Sequence, residues 1–313
     1  MLIGHELIVE RFRSAIAAGT LAHAYLFIGP KSVGKRTVAE WLLKEVLNTE
    51  HLDAHPDMVR VKRTENPKTG RMREQIALEQ IQEARRRFDM RAVCGTKKAL
   101  LIEEADTLSI GAANALLKTL EEPRGDALII LTAKSEAKIL PTLLSRVLCV
   151  RFRALSLNDV AEALQERGAT HEEAEALSAL SNGLPGRALA LMQDGKRREE
   201  MERELRVIHA CFSARSSERV LAVHAILPSY DVDHVKTRSQ LFERLALFET
   251  VAHKHLLAAS GCGMSPLLDA DAPTMTLFQA GSILRAIQAA KRRLDAHLDP
   301  HLTLIHAVLS YTL

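Results

Sequence analysis

Apolar residues in the first half of the chain occur in short unbroken runs that alternate with helical patterns. Runs without a polar position are typical of strands buried on both faces of a parallel sheet. The segments between them place apolar side chains every three or four residues, as an amphipathic helix does. This rhythm predicts an α/β fold, in which helices cross over between parallel strands. The predicted strands cover residues 24–28, 58–61, 99–102, 128–131 and 148–152.

The segment after residue 109 shows how the helices are predicted. Pro123 ends this helix because proline cannot continue the backbone hydrogen-bond ladder. Its predicted apolar face consists of Ile110, Ala113, Leu117 and Leu120. Other helices are predicted at residues 6–18, from residue 38 onward and at 77–88.

Strand patterns largely stop after residue 152, and the rest of the chain is predicted to be helical. Three short helices are expected at 157–164, 171–180 and 186–192, with a glycine- and proline-containing break at 182–186. Residues 261–273 are predicted to connect two of the longer helices that follow, and a last short helix is expected at 302–309. The apolar faces of the longer helices are Met201, Leu205, Ile208 and Phe212; Leu241, Leu245, Phe248, Ala252 and Leu256; and Ile283 or Leu284, Ile287, Leu294 and Leu298.

Composition excludes several classes of protein and leaves others open. A chain of 313 residues has room for two or three domains, and a net charge of +3 says little about partners. Aromatic residues make up only 4%, which argues against a stacking surface for single-stranded nucleic acid. The four cysteines form no CxxC pair and the histidines no HExxH motif, so no metal and no disulfide framework are predicted. Without a membrane-length apolar run or a signal-peptide pattern, a cytoplasmic protein without membrane contact is expected.

A phosphate-binding loop is predicted directly after the first strand. The residues from Gly29 to Lys35 match G-x-x-x-x-G-K, in which backbone N–H groups surround phosphate and the lysine reaches the outer phosphates. The next residue should carry a hydroxyl for Mg²⁺, but it is Arg36, and Thr37 comes one position late. One residue is a rotation of about 100° on a helix, so Thr37 cannot simply take over. Nucleotide binding by Gly29, Gly34, Lys35 and Thr37 is therefore predicted without efficient hydrolysis, and a relic loop is the alternative.

Four charged residues complete the candidate site. Glu103 and Glu104 end the third strand, where an acidic pair would hold Mg²⁺ and polarise an attacking water, or would merely cap the strand. Arg146 is the candidate arginine finger, which would stabilise charge on a neighbouring subunit's γ-phosphate. Arg187, at the start of a helix, is placed to contact nucleotide phosphate. The basic run at 85–87 either faces DNA phosphates or is a solvated surface.

These pieces together resemble the AAA+ clamp-loader family over about residues 4–191, and more specifically its stator-type subunit in bacterial DNA polymerase III. The resemblance implies an AAA+ P-loop domain at 1–152, a small helical lid at 153–194 and an all-α collar at 195–313 that holds subunits in a ring. The motifs that carry it are HAYLFIGPKSVGK, HPD, KKALLIEEAD with ANALLKTLEEP, LPTLLSRV and NGLPGRALAL.

The chain departs from the family pattern in ways that bear on function. Residues 48–54 replace the family's four-cysteine zinc module, so no zinc is predicted. The segment 132–134 lacks the usual sensor residue, and Arg36 and Glu103 alter two further elements that hydrolysis needs. The family's SRC motif reads Ser-Arg-Val here and keeps Arg146.

The resemblance therefore implies a stator subunit of a hetero-oligomeric clamp loader. Such a subunit would donate Arg146 in trans, without ATPase activity of its own and with Glu104 either functional or vestigial. Its partners would be the gamma/tau and delta subunits and, through the complex, the sliding clamp and primer–template DNA. The main alternative is an active AAA+ motor with ATP and Mg²⁺ as cofactors, in which Thr37 or a water completes the magnesium site. A third possibility is a purely structural collar protein, for which Arg146 is dispensable.

Overall fold

The computed structural model describes residues 2–66, 69–95, 97–123, 125–213, 216–227, 234–261, 275–296 and 298–311. The chain forms two compact units, one of residues 1–168 with 183–188 and the other of 169–182 with 189–313. Within the described ranges, no helix is long and apolar enough to cross a membrane. The predicted connection at 261–273 lies outside the described residues from position 262 onward. The predicted domain boundaries after residues 152 and 194 remain a prediction.

The first unit is organised around a parallel sheet, which confirms the predicted α/β fold class. In the described residues the sheet has five strands in the order β2-β3-β4-β1-β5, and every neighbouring pair is parallel. The inner strand β1, next to the edge strand β5, is buried throughout, whereas β5 is mostly exposed. The strands are β1 Ala24–Ile28, β2 Met58–Val61, β3 Lys97–Ile102, β4 Asp126–Ala133 and β5 Leu148–Arg151.

Helices cover both faces of this sheet because alternate strand residues point to opposite sides. On one face, Tyr25 and Phe27 lie in a core with apolar residues of α1 and α2. On the other face, Leu26 and its neighbours share a core with α3 and α4. The helices of the first unit are α1 Glu6–Ala17, α2 Lys35–Leu47, α3 Leu78–Phe88, α4 Ile110–Glu121, α5 Pro141–Leu144 and α6 Leu157–Gln165.

The second unit is helical, as the sequence predicts. Its core includes Ile208, Phe212 and Phe248 from the predicted apolar faces. The helix α8 Pro185–Gln193 begins in the first unit and ends in the second. The other helices of the second unit are α7 His171–Ser181, α9 Gly195–Ser213, α10 Ser216–His224, α11 His234–Ala259, α12 Leu277–Asp295 and α13 Pro300–Leu309.

Two predicted apolar faces need correction. Ile110 is 73% exposed because it is the first residue of α4, directly after the N-cap Ser109. Ala113 and Leu120 of the predicted face are buried, Leu116 joins them, and Leu117 is only partly buried. Leu298 is 51% exposed because α12 ends at Asp295, so it is not part of that helix's face.

Helix α10 was not predicted, and a buried arginine explains how it is held. Arg219 donates from Nη1 to the carbonyl oxygen of Tyr311 at 2.9 Å, and its guanidinium lies 4.5 Å from the centre of the Tyr311 ring. The Tyr311 hydroxyl in turn donates to the carbonyl oxygen of Cys211 at 3.0 Å. An arginine in a helix is usually exposed, so only the packed helices show that this one is buried.

The connection between α7 and α8 depends on a glycine, and this gives a stability prediction. Gly183 has φ +71°, and a Cβ atom there would lie 2.2 Å from the carbonyl oxygen of Leu155. We expect Gly183→Ala to lower the free energy of unfolding by more than the roughly 1–2 kcal/mol of a left-handed alanine alone. Gly19→Ala is the matched control, since Gly19 has φ +65° with nothing within 4 Å of the added carbon. Urea unfolding of both variants measures the difference, and equal losses would contradict the predicted clash.

Candidate functional site

The predicted phosphate loop follows β1 and leads directly into α2. Gly34 is the N-cap residue of α2 with φ 110°, and Ser32 has φ 64°, so the loop uses backbone conformations that few residues adopt. The Lys35 ammonium donates to the carbonyl oxygens of Gly29 at 2.6 Å and Pro30 at 2.7 Å. The lysine thus folds back across the loop that it would use to bind phosphate.

Burial lowers the pKa of Lys35 to about 8. The carboxylates of Asp106 and Glu104 raise it and the ammonium of Lys134 lowers it further, but both effects are smaller than that of burial. Without a bound anion, Lys35 therefore loses its proton at a lower pH than an exposed lysine does.

Two other segments of the first unit contact the loop. His5 Nε2 lies 2.8 Å from the carbonyl oxygen of Val33, and the His5 ring packs edge-on against Phe152 with 4.9 Å between ring centres. The backbone N–H of Gly186 donates to the carbonyl oxygen of Ser32 at 2.9 Å. This second contact places the first turn of α8, which includes Arg187, against the loop, and contact of Arg187 with phosphate remains a prediction.

Glu103 lies at the carboxyl end of β3, where the sequence places it, but its carboxylate is engaged by arginines. Arg60 Nη1 lies 2.9 Å from Glu103 Oε1, and Arg36 Nη1 lies 3.7 Å from Glu103 Oε2. Glu40 joins the network through contacts of 2.8 Å with each of these arginines. Burial favours a lower pKa for Arg60, but the hydrogen bonds to Glu40 and Glu103 outweigh it and raise the pKa.

Glu104 is also neutralised by an arginine. Arg63 Nε lies 2.5 Å from Glu104 Oε2, and the Glu104 backbone, with φ 55°, donates its N–H to the hydroxyl of Thr132 at 3.2 Å. The ion pair engages Oε2 of Glu104 and balances its charge, so an attacking water would compete with Arg63 for this carboxylate. The negative charges of Glu103 and Glu104, the predicted magnesium and water ligands, are therefore balanced by arginines of the same chain.

Arg60 and Arg63 are functional candidates that the sequence analysis did not predict. No motif marks them, although the stretch 60–73 is rich in basic residues. The parallel register pairs Arg60 with Leu101 and Val61 with Ile102, which brings the end of β2 beside the acidic end of β3. Only strand pairing identifies the partners, because these positions are about forty residues apart along the chain.

Thr37 lines a cavity of about 570 Å³ together with residues of α1 and α2 that include Glu6, Glu40 and Trp41. Glu40 also belongs to the arginine network, so this cavity borders the network. A rotation of about 100° between consecutive helical residues separates Thr37 from position 36, where the magnesium-binding hydroxyl is expected.

Arg146 is held at the other end of the sheet. Its Nε and Nη2 atoms lie 2.7 and 2.5 Å from Glu121 Oε1, and Nη1 donates to the carbonyl oxygen of Thr142 at 2.9 Å. The register pairs Leu148 of β5 with Tyr25 of β1, so Arg146 lies level with the residue before β1. Six residues of extended strand separate that level from Gly29, which is about 20 Å at 3.3 Å per residue. The guanidinium is therefore remote from the phosphate loop of its own chain, and its side chain is 34% exposed.

The shifted lysine predicts a pH dependence of stability. The pKa of Lys35 is lowered in the folded chain to about 8 from 10.5, so the unfolded chain binds more protons between these values. Stability contributed by this group should therefore rise with pH across that window and be constant below it. We expect the difference in unfolding free energy between the wild type and Lys35→Met to change in favour of the wild type from pH 8 to 10.5. Urea titrations across this range measure it, and a pH-independent difference would contradict it.

Comparison with known proteins gives the family of this chain. A family model described as DNA polymerase III, delta subunit, matches residues 4–156. Subunit delta' of DNA polymerase III from Pseudomonas aeruginosa is 33% identical over 203 residues, which are 58% of this chain and 59% of that protein. Subunit delta' from Bacillus subtilis is 27% identical over 184 residues, or 56% of each protein.

Among solved structures, a gamma-subunit-related protein of DNA polymerase III from Thermotoga maritima is similar with a TM-score of 0.42 at 20% identity. It covers 95% of this chain, and this chain covers 97% of it. The matched part of this chain spans less than two thirds of the length of the curated delta' relatives. Over residues 4–156 the chain matches the DNA polymerase III delta-subunit family, and its similarity to the delta' relatives supports a clamp-loader subunit of the delta-prime type.

Proposed function

We propose that this chain is the stator subunit of a clamp loader, which helps to place a sliding clamp on primer–template DNA in the cytoplasm. In this role it assembles with motor subunits of the gamma/tau type and with a delta subunit. It supplies Arg146 to ATP held by a neighbouring motor and does not turn over Mg-ATP itself. The observation that carries the proposal is that arginines pair with Glu103 and Glu104, while Arg146 is partly exposed at the end of the sheet opposite its own loop.

The surroundings of Arg146 support action on a second subunit. Its partner Glu121 is itself 47% exposed, and exposed ion pairs typically contribute only about 0–1 kcal/mol. A γ-phosphate carries more charge than one carboxylate and can accept both arms of a guanidinium. Exchange of Glu121 for a neighbour's phosphate is thus favourable, and until then Glu121 and the carbonyl oxygen of Thr142 hold the guanidinium.

The arginine network argues against the alternative of a motor subunit. Magnesium-dependent phosphoryl transfer needs a hydroxyl and a carboxylate free to hold the ion. In this chain Arg36 occupies the hydroxyl position and Glu103 contacts both Arg36 and Arg60. A magnesium ion at Glu103 would have to displace or lie beside two guanidinium groups, which Coulomb repulsion disfavours.

The identity of residue 36 should decide whether magnesium helps nucleotide binding. We expect the isolated wild-type chain to hydrolyse no ATP and to gain no nucleotide affinity from Mg²⁺. Arg36→Thr restores the hydroxyl and removes one charge at Glu103, so Mg²⁺ should then increase ATP affinity by at least about tenfold, or 1.4 kcal/mol. Calorimetric titration with and without Mg²⁺ measures this effect.

Arg36→Gln is the control for that experiment, because it removes the charge without providing a magnesium ligand. A magnesium effect in Arg36→Thr alone supports the missing hydroxyl as the defect. Steady Mg-dependent hydrolysis by the wild-type chain that is lost in Lys35→Ala would instead assign it to the motor class.

The arginine finger is tested in the assembled loader. We expect Arg146→Ala to reduce the ATP turnover of the cognate motor subunits, with clamp and primed DNA, toward the level seen without this chain. Loss of an essential finger lowers turnover by about 10³–10⁵-fold at the site that it serves. Steady-state turnover of the reconstituted complex measures the effect, and gel filtration checks that the complex still forms.

Arg151→Ala is the matched control, since Arg151 is also an exposed arginine of the β5 region and is paired with Glu136 at 2.6 Å. Turnover should survive this change. If Arg146→Ala and Arg151→Ala assemble and behave alike, the trans role of Arg146 is wrong and a purely structural role remains.

A further inference from the structure

Three metal-ligating side chains come together at the end of the sheet that is opposite the phosphate loop. In the part of the chain that the structure describes, His55, Asp57 and Cys94 form a group whose ligand atoms all lie within 4.8 Å of one another. His55 and Asp57 precede β2, and Cys94 precedes β3. We propose that these three residues bind one Zn²⁺ ion, at a site separate from the proposed nucleotide and arginine-finger functions.

Asp57 is the fixed member of the group. It is only 5% exposed, and its two carboxylate oxygens accept the backbone N–H groups of Val93 at 2.6 Å and Cys94 at 2.8 Å. These hydrogen bonds orient the carboxylate and hold the Cys94 segment beside it. Each oxygen retains a further lone pair, so the same carboxylate can also ligate a metal. Because both donors are neutral backbone groups, a cation at this position would compensate a buried negative charge.

His55 and Cys94 provide the nitrogen and sulfur donors. The backbone N–H of Asp57 lies 3.2 Å from His55 Nδ1, which keeps the imidazole next to the carboxylate. Cys94 is exposed, so an ion can reach the group from solvent. Tetrahedral zinc with bonds of about 2.0–2.3 Å places its ligands about 3.5 Å apart. The observed upper separation of 4.8 Å therefore needs only a small closure, which an exposed cysteine on a turn can make.

The mixture of donors selects the ion. Thiolate, imidazole and carboxylate together suit Zn²⁺, whereas Mg²⁺ and Ca²⁺ take oxygen ligands. Three protein ligands leave the fourth position of a tetrahedral ion to water, so the site would be open and exchangeable rather than a closed structural one.

The spacing rules that predict no zinc could not detect such a group. They look for paired cysteines close in sequence, and Cys94 follows Asp57 by 37 residues. The parallel pairing of Met58 with Ala99 brings the two segments together at the start of their strands. A metal held there would join the segment before β2 to the segment before β3.

The test uses the purified full chain after treatment with a chelator, with Co²⁺ as the spectroscopic probe and Zn²⁺ as competitor. We expect one equivalent of Co²⁺ to bind with a thiolate-to-cobalt charge-transfer absorption, and Zn²⁺ to abolish that absorption. Cys94→Ser should remove the absorption, and His55→Gln should weaken Co²⁺ binding by at least about tenfold. Cys149→Ser should bind like the wild type, since Cys149 is an exposed cysteine outside the group.

A second readout separates metal binding from damage to the fold. A ligand that binds only the folded chain raises its melting temperature, so Zn²⁺ should stabilise the wild type and Cys149→Ser but not Cys94→Ser. Circular dichroism without metal should be the same for all variants. The proposal is overturned if the wild type shows no thiolate absorption with Co²⁺. It is also overturned if Cys94→Ser keeps the absorption, or if Cys149→Ser loses it.

Discussion

Burial of both faces of the central strands is the constraint on which this molecule depends. Side chains of β1, β3 and β4 alternate between two apolar cores, one under α1 and α2 and the other under α3 and α4. Charged groups cannot lie inside such a sheet without partners, so they collect where the strands begin and end. The carboxyl ends of the strands carry the phosphate loop and the acidic pair, and the opposite ends carry Arg146 and the group around Asp57.

The arginine contacts at the carboxyl ends place positive charge beside the two carboxylates that were predicted to hold magnesium. Two adjacent carboxylates near a bound nucleotide would repel each other and the phosphates unless a cation lay between them. In this chain Arg36, Arg60 and Arg63 supply positive charge to Glu103 and Glu104. These ion pairs balance the negative charge of both glutamates from within the chain.

The phosphate loop and the proposed arginine finger lie at opposite ends of the sheet. At the carboxyl ends, the segment at Gly186 and the His5 side chain both contact the loop, at Ser32 and Val33. The edge strand β5 is different, since its outer side is unpaired and most of its residues are exposed. Arg146 precedes that strand, so an arginine finger on the rim of a rigid domain is consistent with a stator that acts on its neighbour.

The sequence by itself determined the local structure and the type of fold, because apolar periodicity and glycine or proline breaks are local signals. The predicted strand at 24–28 is β1, and the helix predicted at 157–164 matches α6 Leu157–Gln165 within one residue. It also located the loop, Glu103, Glu104 and Arg146 through their motifs. Only the tertiary structure decided what those residues contact, since Arg60 meets Glu103 and Cys94 meets Asp57 through strand pairings about forty residues apart in the chain. A local sequence pattern does not predict which strands are neighbours in a sheet. In this sheet the pairing of β2 with β3 brings the arginines to the acidic pair and so determines the charge of the site.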